Sequence, residues 1–191
     1  EDLLVCPHLT RQRSPAAPGH AHYSCGHFSL TALGEYFAID MNRYGTEQSD
    51  HNITLVDGKS GRSTGGQWCM GAAYNHGRLI GYQPGEFVDW AAADSSLQHD
   101  CYWARRSVLF VKGRGVHPYL VTIDDINKAN DFHEFWWTLN TCPENTIALH
   151  DPGATITGWR KGNHLDVHFA LPAPEEFPKP HALTLAQDEC T

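Results

Sequence analysis

His20-Ala21-His22 sets two imidazoles two residues apart. In an extended segment, side chains at i and i+2 share a face, so both rings would project the same way. Asp40 closes a strand-like run from Tyr36, and His51 stands immediately before another, Asn52 to Val56. Two histidines and a carboxylate converging from neighbouring strand ends make a three-ligand set of the kind that holds zinc. Three protein ligands leave one coordination position for water or substrate. The plainer reading of the same residues is a surface H-x-H pair and an aspartate capping a turn, and spacing leaves both open. His164, Asp166 and His168 alternate in the same way, as a second metal site or as the polar face of a sheet. Asn52-Ile53-Thr54 is a formal glycosylation sequon, but its place on a strand beside a candidate ligand argues against its use.

Strands must position these residues. Phe28 to Leu33 alternates apolar and polar residues, and Tyr36 to Ile39 follows a Gly34-Glu35 turn, which predicts a hairpin. Further strands are expected at Asn52 to Val56, Arg78 to Tyr82, Phe87 to Ala91, Tyr102 to Val111 and Tyr119 to Ile123. Phe132 to Leu139, Ile147 to Leu149 and Val167 to Leu171 complete the set, with Asp57-Gly58 and Lys112 to Gly115 as turns. The best helical stretch, Asp89 to Leu97, is short. The expected class is therefore all-β, an antiparallel β-sandwich with few or no long helices. Residues 1–18 read as an irregular lead-in, 19–171 as the sandwich and 172–191 as a proline-rich tail.

Composition narrows the function. Hydrophobic residues at 41% with charged residues at 19% exclude a disordered chain and a coiled coil. No apolar run is long enough for a membrane-spanning helix. A net charge of −8 speaks against a nucleic-acid binder, which needs a basic stripe for phosphates. Thirteen histidines against 14 lysines and arginines are the compositional oddity, and histidine is the commonest metal ligand. Six scattered cysteines without a C-x-x-C pair exclude a zinc ribbon and leave disulfides or buried thiols open. A chain that starts at Glu1 without methionine is expected to be mature, processed or excised.

Gly19-His20-Ala21-His22, Gly26-His27-Phe28, Ala32-Leu33-Gly34-Glu35 and Ala38-Ile39-Asp40 run in one order with His51-Asn52-Ile53-Thr54-Leu55-Val56-Asp57-Gly58. Together they resemble the C-terminal β-sandwich of the heparinase II/III-like polysaccharide lyases. Tyr102 to Lys112, Tyr119 to Asp124 and Phe132 to Leu139 resemble that family's later strands, so the likeness covers about residues 19–140. It implies His20 as a catalytic acid/base and His22, Asp40 and His51 as ligands of a zinc ion that orders the site. Three departures stand out: a short stretch between Asp40 and His51, histidine at 27 where the family has a small residue, and asparagine at 140 where histidine is common.

The implied reaction is β-elimination at a uronic acid, in a secreted or periplasmic setting. It needs the sugar carboxylate neutralised, the C5 proton removed and the leaving O4 protonated, and a near-neutral histidine suits the proton transfers. The family's tyrosine and its asparagine or histidine come from a helical toroid domain, which would be a further partner in the same or a separate chain. Arg43 and Tyr44 lie between two candidate ligands and would contact an anionic sugar, or form a solvated loop. Lys59, Arg62 and Arg78 lie in the least acidic stretch. Trp136 and Trp137 must point to opposite faces of a strand, one to the core and one to a sugar platform. The competing reading is a non-catalytic, zinc-stabilised carbohydrate-binding or structural module. A third is an unrelated metal hydrolase.

Overall fold

Apolar–polar alternation becomes strand almost wherever it occurs. The structure, a computed structural model, describes residues 4–8 (backbone course only), 24–40, 48–59, 77–113, 115, 117–129 and 131–170. Its strands are β1 (Leu4–His8), β2 (His27–Ala32), β3 (Glu35–Ala38), β4 (Thr54–Val56), β5 (Arg78–Gln83) and β6 (Val88–Asp94). They continue with β7 (Trp103–Val111), β8 (Tyr119–Asn127), β9 (Phe135–Trp137), β10 (Thr146–His150), β11 (Gly153–Thr157) and β12 (His164–His168). Among the described residues, helix is confined to a 3-10 turn at Gln48–Asp50 and to α1 (Ser96–His99). Among the described residues the chain adopts the expected all-β class, with antiparallel sheets and no long helix. No helix among the described residues is long and apolar enough to cross a membrane.

The described residues fall into two compact units: a larger one of 4–30 and 38–140, and a smaller one of 31–37 and 141–170. In the larger unit, β5–β6–β7–β8 form one antiparallel sheet in sequence order, and β4 pairs with β9. Ala91, Ala93, Ala104 and Val108 bury one face of the four-stranded sheet, with Phe28, Leu30, Ile53, Leu55 and Val56 buried in the same unit. Arg106 of β7 reaches the carbonyls of Gly26 and Asn52 at 3.0 and 2.9 Å, so this face looks toward β2 and β4. That is sandwich layering.

In the smaller unit, β10, β11 and β12 form a meander whose apolar positions share one face, with Ala154 and Ile156 buried. Glu35 is also fully buried there, and its carboxylate accepts the backbone N–H groups of Arg160 and Lys161. A buried carboxylate needs such donors, because an unpaired one would not stay ionised.

Four local expectations are corrected. The hairpin turn is Leu33-Gly34 rather than Gly34-Glu35, with both residues at positive φ (54° and 79°), the two-residue form that matches strand twist. β1 lies inside the stretch expected to be irregular; its Pro7 is tolerated because β1 is an edge strand. Asp89 to Asp94 belongs to β6, since the alanines that suit a helix are buried in a sheet face. β11 was not foreseen, and β12 begins three residues before the strand expected there.

Candidate metal centre

Three side chains meet where β2 begins, β3 ends and the 3-10 turn leads toward β4. Gly26, at φ 86°, turns the chain so that His27 opens β2, and the His27 N–H donates to the Ser24 carbonyl at 3.0 Å. Asp40 follows the end of β3, and Ile39 before it donates to the Asn140 carbonyl at 2.9 Å. His51 leaves the 3-10 turn, and its carbonyl accepts the Thr138 hydroxyl at 2.6 Å. His27 and His51 are 0% and 3% exposed, whereas the Asp40 side chain keeps 34%.

The carboxylate of Asp40 faces one imidazole with each oxygen. Oδ2 lies 3.5 Å from His27 Nε2, and Oδ1 lies 3.2 Å from His51 Nδ1. The two rings stand edge-on, with centroids 5.7 Å apart. One donor-type atom from each of the three residues lies within 4.8 Å of the others, a group that could hold a metal ion.

Hydrogen bonding gives the two histidines different roles. The backbone N–H of Asn52 donates to His27 Nδ1 at 2.9 Å, so that nitrogen must carry a lone pair. The neutral ring then bears its proton on Nε2, which faces Asp40 Oδ2 and lies 3.2 Å from the Ser29 hydroxyl. A ring in that tautomer points its N–H toward the Ser29 hydroxyl and the Asp40 carboxylate. To ligate through Nε2 it would have to lose this proton as well. The 3.2 Å separation of His51 Nδ1 and Asp40 Oδ1 is close to the roughly 3.3 Å edge of a tetrahedron with zinc bonds of about 2.0–2.1 Å. The donor set therefore fits a metal held by Asp40 and His51, with His27 as the outer partner that orients the carboxylate.

Asn52 organises all of this. Its side-chain amide donates to the carbonyls of Phe28 (2.8 Å) and Ile39 (3.0 Å), and its Oδ1 accepts the Asn140 N–H at 2.6 Å. Its side chain thus ties β2, the approach to Asp40 and the segment after β9 into one knot. Fully buried, it is no glycosylation site. Arg106 braces the knot from the other side. Besides the Gly26 and Asn52 carbonyls, it binds Thr54 Oγ1 at 2.8 Å and Asp124 through two bonds of 2.7 and 2.8 Å. Among the described residues, Cys25, Cys101 and Cys142 are free thiols; burial pushes the Cys25 thiol up to about 12, which keeps it from reacting as a thiolate.

Of the residues expected from sequence, the structure brings Asp40 and His51 together. His20, His22, Arg43 and Tyr44 lie outside the described residues. His27 is not among the ligands expected from sequence; it enters there in the Gly26-His27-Phe28 motif and as a departure from the family pattern. Hairpin arithmetic finds it: with the turn at Leu33-Gly34, Ala32 faces Glu35, and counting back sets His27 opposite Asp40. Asn140 keeps a structural role, its carbonyl and N–H binding Ile39 and Asn52 and its amide donating to the Ser49 carbonyl. Trp137, of intermediate burial, lies 6.3 Å from Phe28 ring to ring, while Trp136 is 52% exposed over Gly58, so the two tryptophans point to opposite sides of β9 and neither is fully buried. Arg78 is paired with Asp94 at 3.1 Å. No protein-family model matches the chain, and no curated protein matches it.

Proposed function

We propose that this chain is the β-sandwich part of a polysaccharide lyase that cleaves uronic-acid-containing glycans by β-elimination. Its metal corner would be built on Asp40 and His51. The observation that carries the reading is the convergence of these two residues, from separate strand ends, at ligand-to-ligand distance. In this reading His22 completes the ligand set and the ion is zinc. Its contribution is a fixed positive charge that orders the site, in keeping with the burial of both imidazoles. His27 holds the outer oxygen of Asp40, and Asn52 holds His27.

His20 acts in proton transfer. Elimination breaks the C5–H bond, its electrons form the C4–C5 double bond, and the C4–O4 bond breaks onto oxygen, which takes up a proton. Arg43 and Tyr44 would bind the anionic sugar, and a helical toroid domain would supply the remaining groups. The exposed Asp40 edge is the open side of an otherwise buried group. A non-catalytic, metal-stabilised carbohydrate-binding module is the alternative, favoured by that same burial of the imidazoles.

The test is the ultraviolet absorbance of unsaturated product when the full-length protein meets uronate polysaccharides, together with elemental analysis of the chain. Product that disappears in His20→Ala while the metal stays supports the lyase. Metal without product from the full-length protein supports the module. A His51→Ala variant that folds with unchanged metal content overturns the site.

A further inference from the structure

The β10–β11–β12 sheet of the smaller unit separates its residues cleanly by parity. Pairing sets Ala148, Thr155 and Asp166 in one row, and Thr146, Thr157 and His164 in another. The remaining row is His150, Gly153 and His168. Cross-strand partners project from the same face, so three histidines, an aspartate and three threonines share it. Hydrogen bonds between neighbours confirm this: Thr155 Oγ1 to Asp166 Oδ1 at 2.8 Å, and Thr157 Oγ1 to His164 Nδ1 at 2.9 Å. His150, His164, Asp166 and His168 are all exposed.

His150 and His168 occupy the two outer strands, whose backbones stand roughly 9.5 Å apart at ordinary strand spacing. Between them is Gly153, where any Cβ would collide with the Val167 carbonyl, so the position stays without a side chain. The two imidazoles lean over this gap until their centroids are 6.0 Å apart. Two imidazoles sharing one ion at bonds of about 2.0–2.1 Å have centroids roughly 5–5.5 Å apart. Rotation of the two exposed rings about their side-chain bonds would close the pair on a cation. Asp166, the next residue on this face of β12, holds Thr155 at 2.8 Å and would turn its carboxylate to the ion.

The proton arrangement also favours a ligand. Thr155 donates its hydroxyl proton to Asp166 Oδ1, which leaves its oxygen to accept from His150 Nε2, 3.3 Å away. In that arrangement the His150 ring keeps its lone pair on Nδ1, the nitrogen available to a metal.

We propose that this face holds a second metal site, with His150 and His168 as nitrogen ligands and Asp166 as the carboxylate. Imidazole donors select a divalent transition ion such as Cu²⁺, Zn²⁺ or Ni²⁺ over Ca²⁺ or Mg²⁺. The bound ion clamps the two outer strands of the sheet across β11. The site is independent of the Asp40–His51 centre and does not rest on the lyase reading.

The test is calorimetric titration of Zn²⁺ into the full chain and into His150→Ala, His168→Ala and His164→Ala variants. The expected result is one Zn²⁺ fewer per chain, or binding weaker by at least about tenfold as chelation is lost, in the first two variants. The His164→Ala variant, at the far end of the same face, should bind as the wild type does. Unchanged titrations in both His150→Ala and His168→Ala overturn the proposal. So does an equal loss in His164→Ala, which would mean diffuse binding to a histidine-rich face. Nitrogen NMR of the wild-type chain reads the site without substitution: the two ring signals must shift together with Zn²⁺, and immobility of either overturns it.

Discussion

His27 and His51 are buried with a carboxylate between them, while His150 and His168 stand in the open with a glycine between them. The open pair comes from strands in antiparallel register and the buried pair from the start of β2 and the bend after the 3-10 turn, and in both a third residue decides what the rings can do. In the buried pair that residue is Asn52, whose backbone N–H takes one nitrogen of His27 and so makes the ring a donor. In the open pair it is Gly153, whose lack of a side chain lets two rings approach over the middle strand. Burial thus assigns histidines fixed and unequal roles. Exposure leaves the rings free to adjust to an ion. The two regions should therefore respond very differently to the same kinds of perturbation.

Removing the organiser should show the largest difference. Asn52→Ala strands the carbonyls of Phe28 and Ile39 and the N–H of Asn140, all bound by its side chain. At about 1–3 kcal/mol for each unsatisfied buried group, the loss should be about 4 kcal/mol. Urea unfolding measures it, and a loss below about 1 kcal/mol would mean that water replaces the knot.

Acid should separate buried from open histidines next. Burial pulls His99 down to about 4 from an ordinary 6.5, helped by the charges of Lys128 and Arg106 and opposed by a backbone bond to Lys59 and by Asp124. The folded state therefore resists a proton that the unfolded chain accepts. Stability is complete above pH 6.5 and falls as pH drops toward 4, by roughly 2 kcal/mol at pH 5. His99→Gln should flatten that slope. Denaturant midpoints at pH 7 and pH 5 provide the comparison.

The two regions also differ in how far sequence alone reveals them. The H-x-D-x-H alternation at residues 164–168 announces one sheet face because parity needs no knowledge of partners. Its companion His150 stays hidden, since β11 starts at Gly153 after an Asp151-Pro152 turn that reads as loop. At the buried centre, Asp40 and His51 are visible as strand-end residues. His27 depends on the hairpin register. A turn at Gly34-Glu35 would set Asp40 opposite Ser29, and the one-residue shift to Leu33-Gly34 sets it opposite His27. Asn52 looks like a sequon because its role lies in partners 13 to 88 residues away.

A smaller effect is expected where His27 acts on the metal through Asp40. His27→Gln keeps a donor of similar reach but loses the acceptor for the Asn52 N–H. Metal affinity at the Asp40–His51 centre should fall about tenfold, the low end for an outer partner, while the ion count stays the same. Nitrogen NMR of wild-type His27 should show an unprotonated Nδ1 with or without metal. Loading with ¹¹³Cd²⁺ should give coupling to His51 and none to His27. Coupling to His27 Nε2 would make it a ligand and erase the distinction between the two rings.

The smallest effect belongs to the open face. Thr155→Val removes a hydroxyl that donates to Asp166 and lies within reach of His150, yet both partners are exposed and water can replace it. Stability should change by no more than about 0.5 kcal/mol. Zn²⁺ affinity should weaken only a few-fold, because Thr155 orients two ligands without being one. A loss as large as that of Asn52→Ala would show that the open face is held as rigidly as the buried knot. The contrast between fixed and adjustable histidines would then fail at the place where water should protect it most.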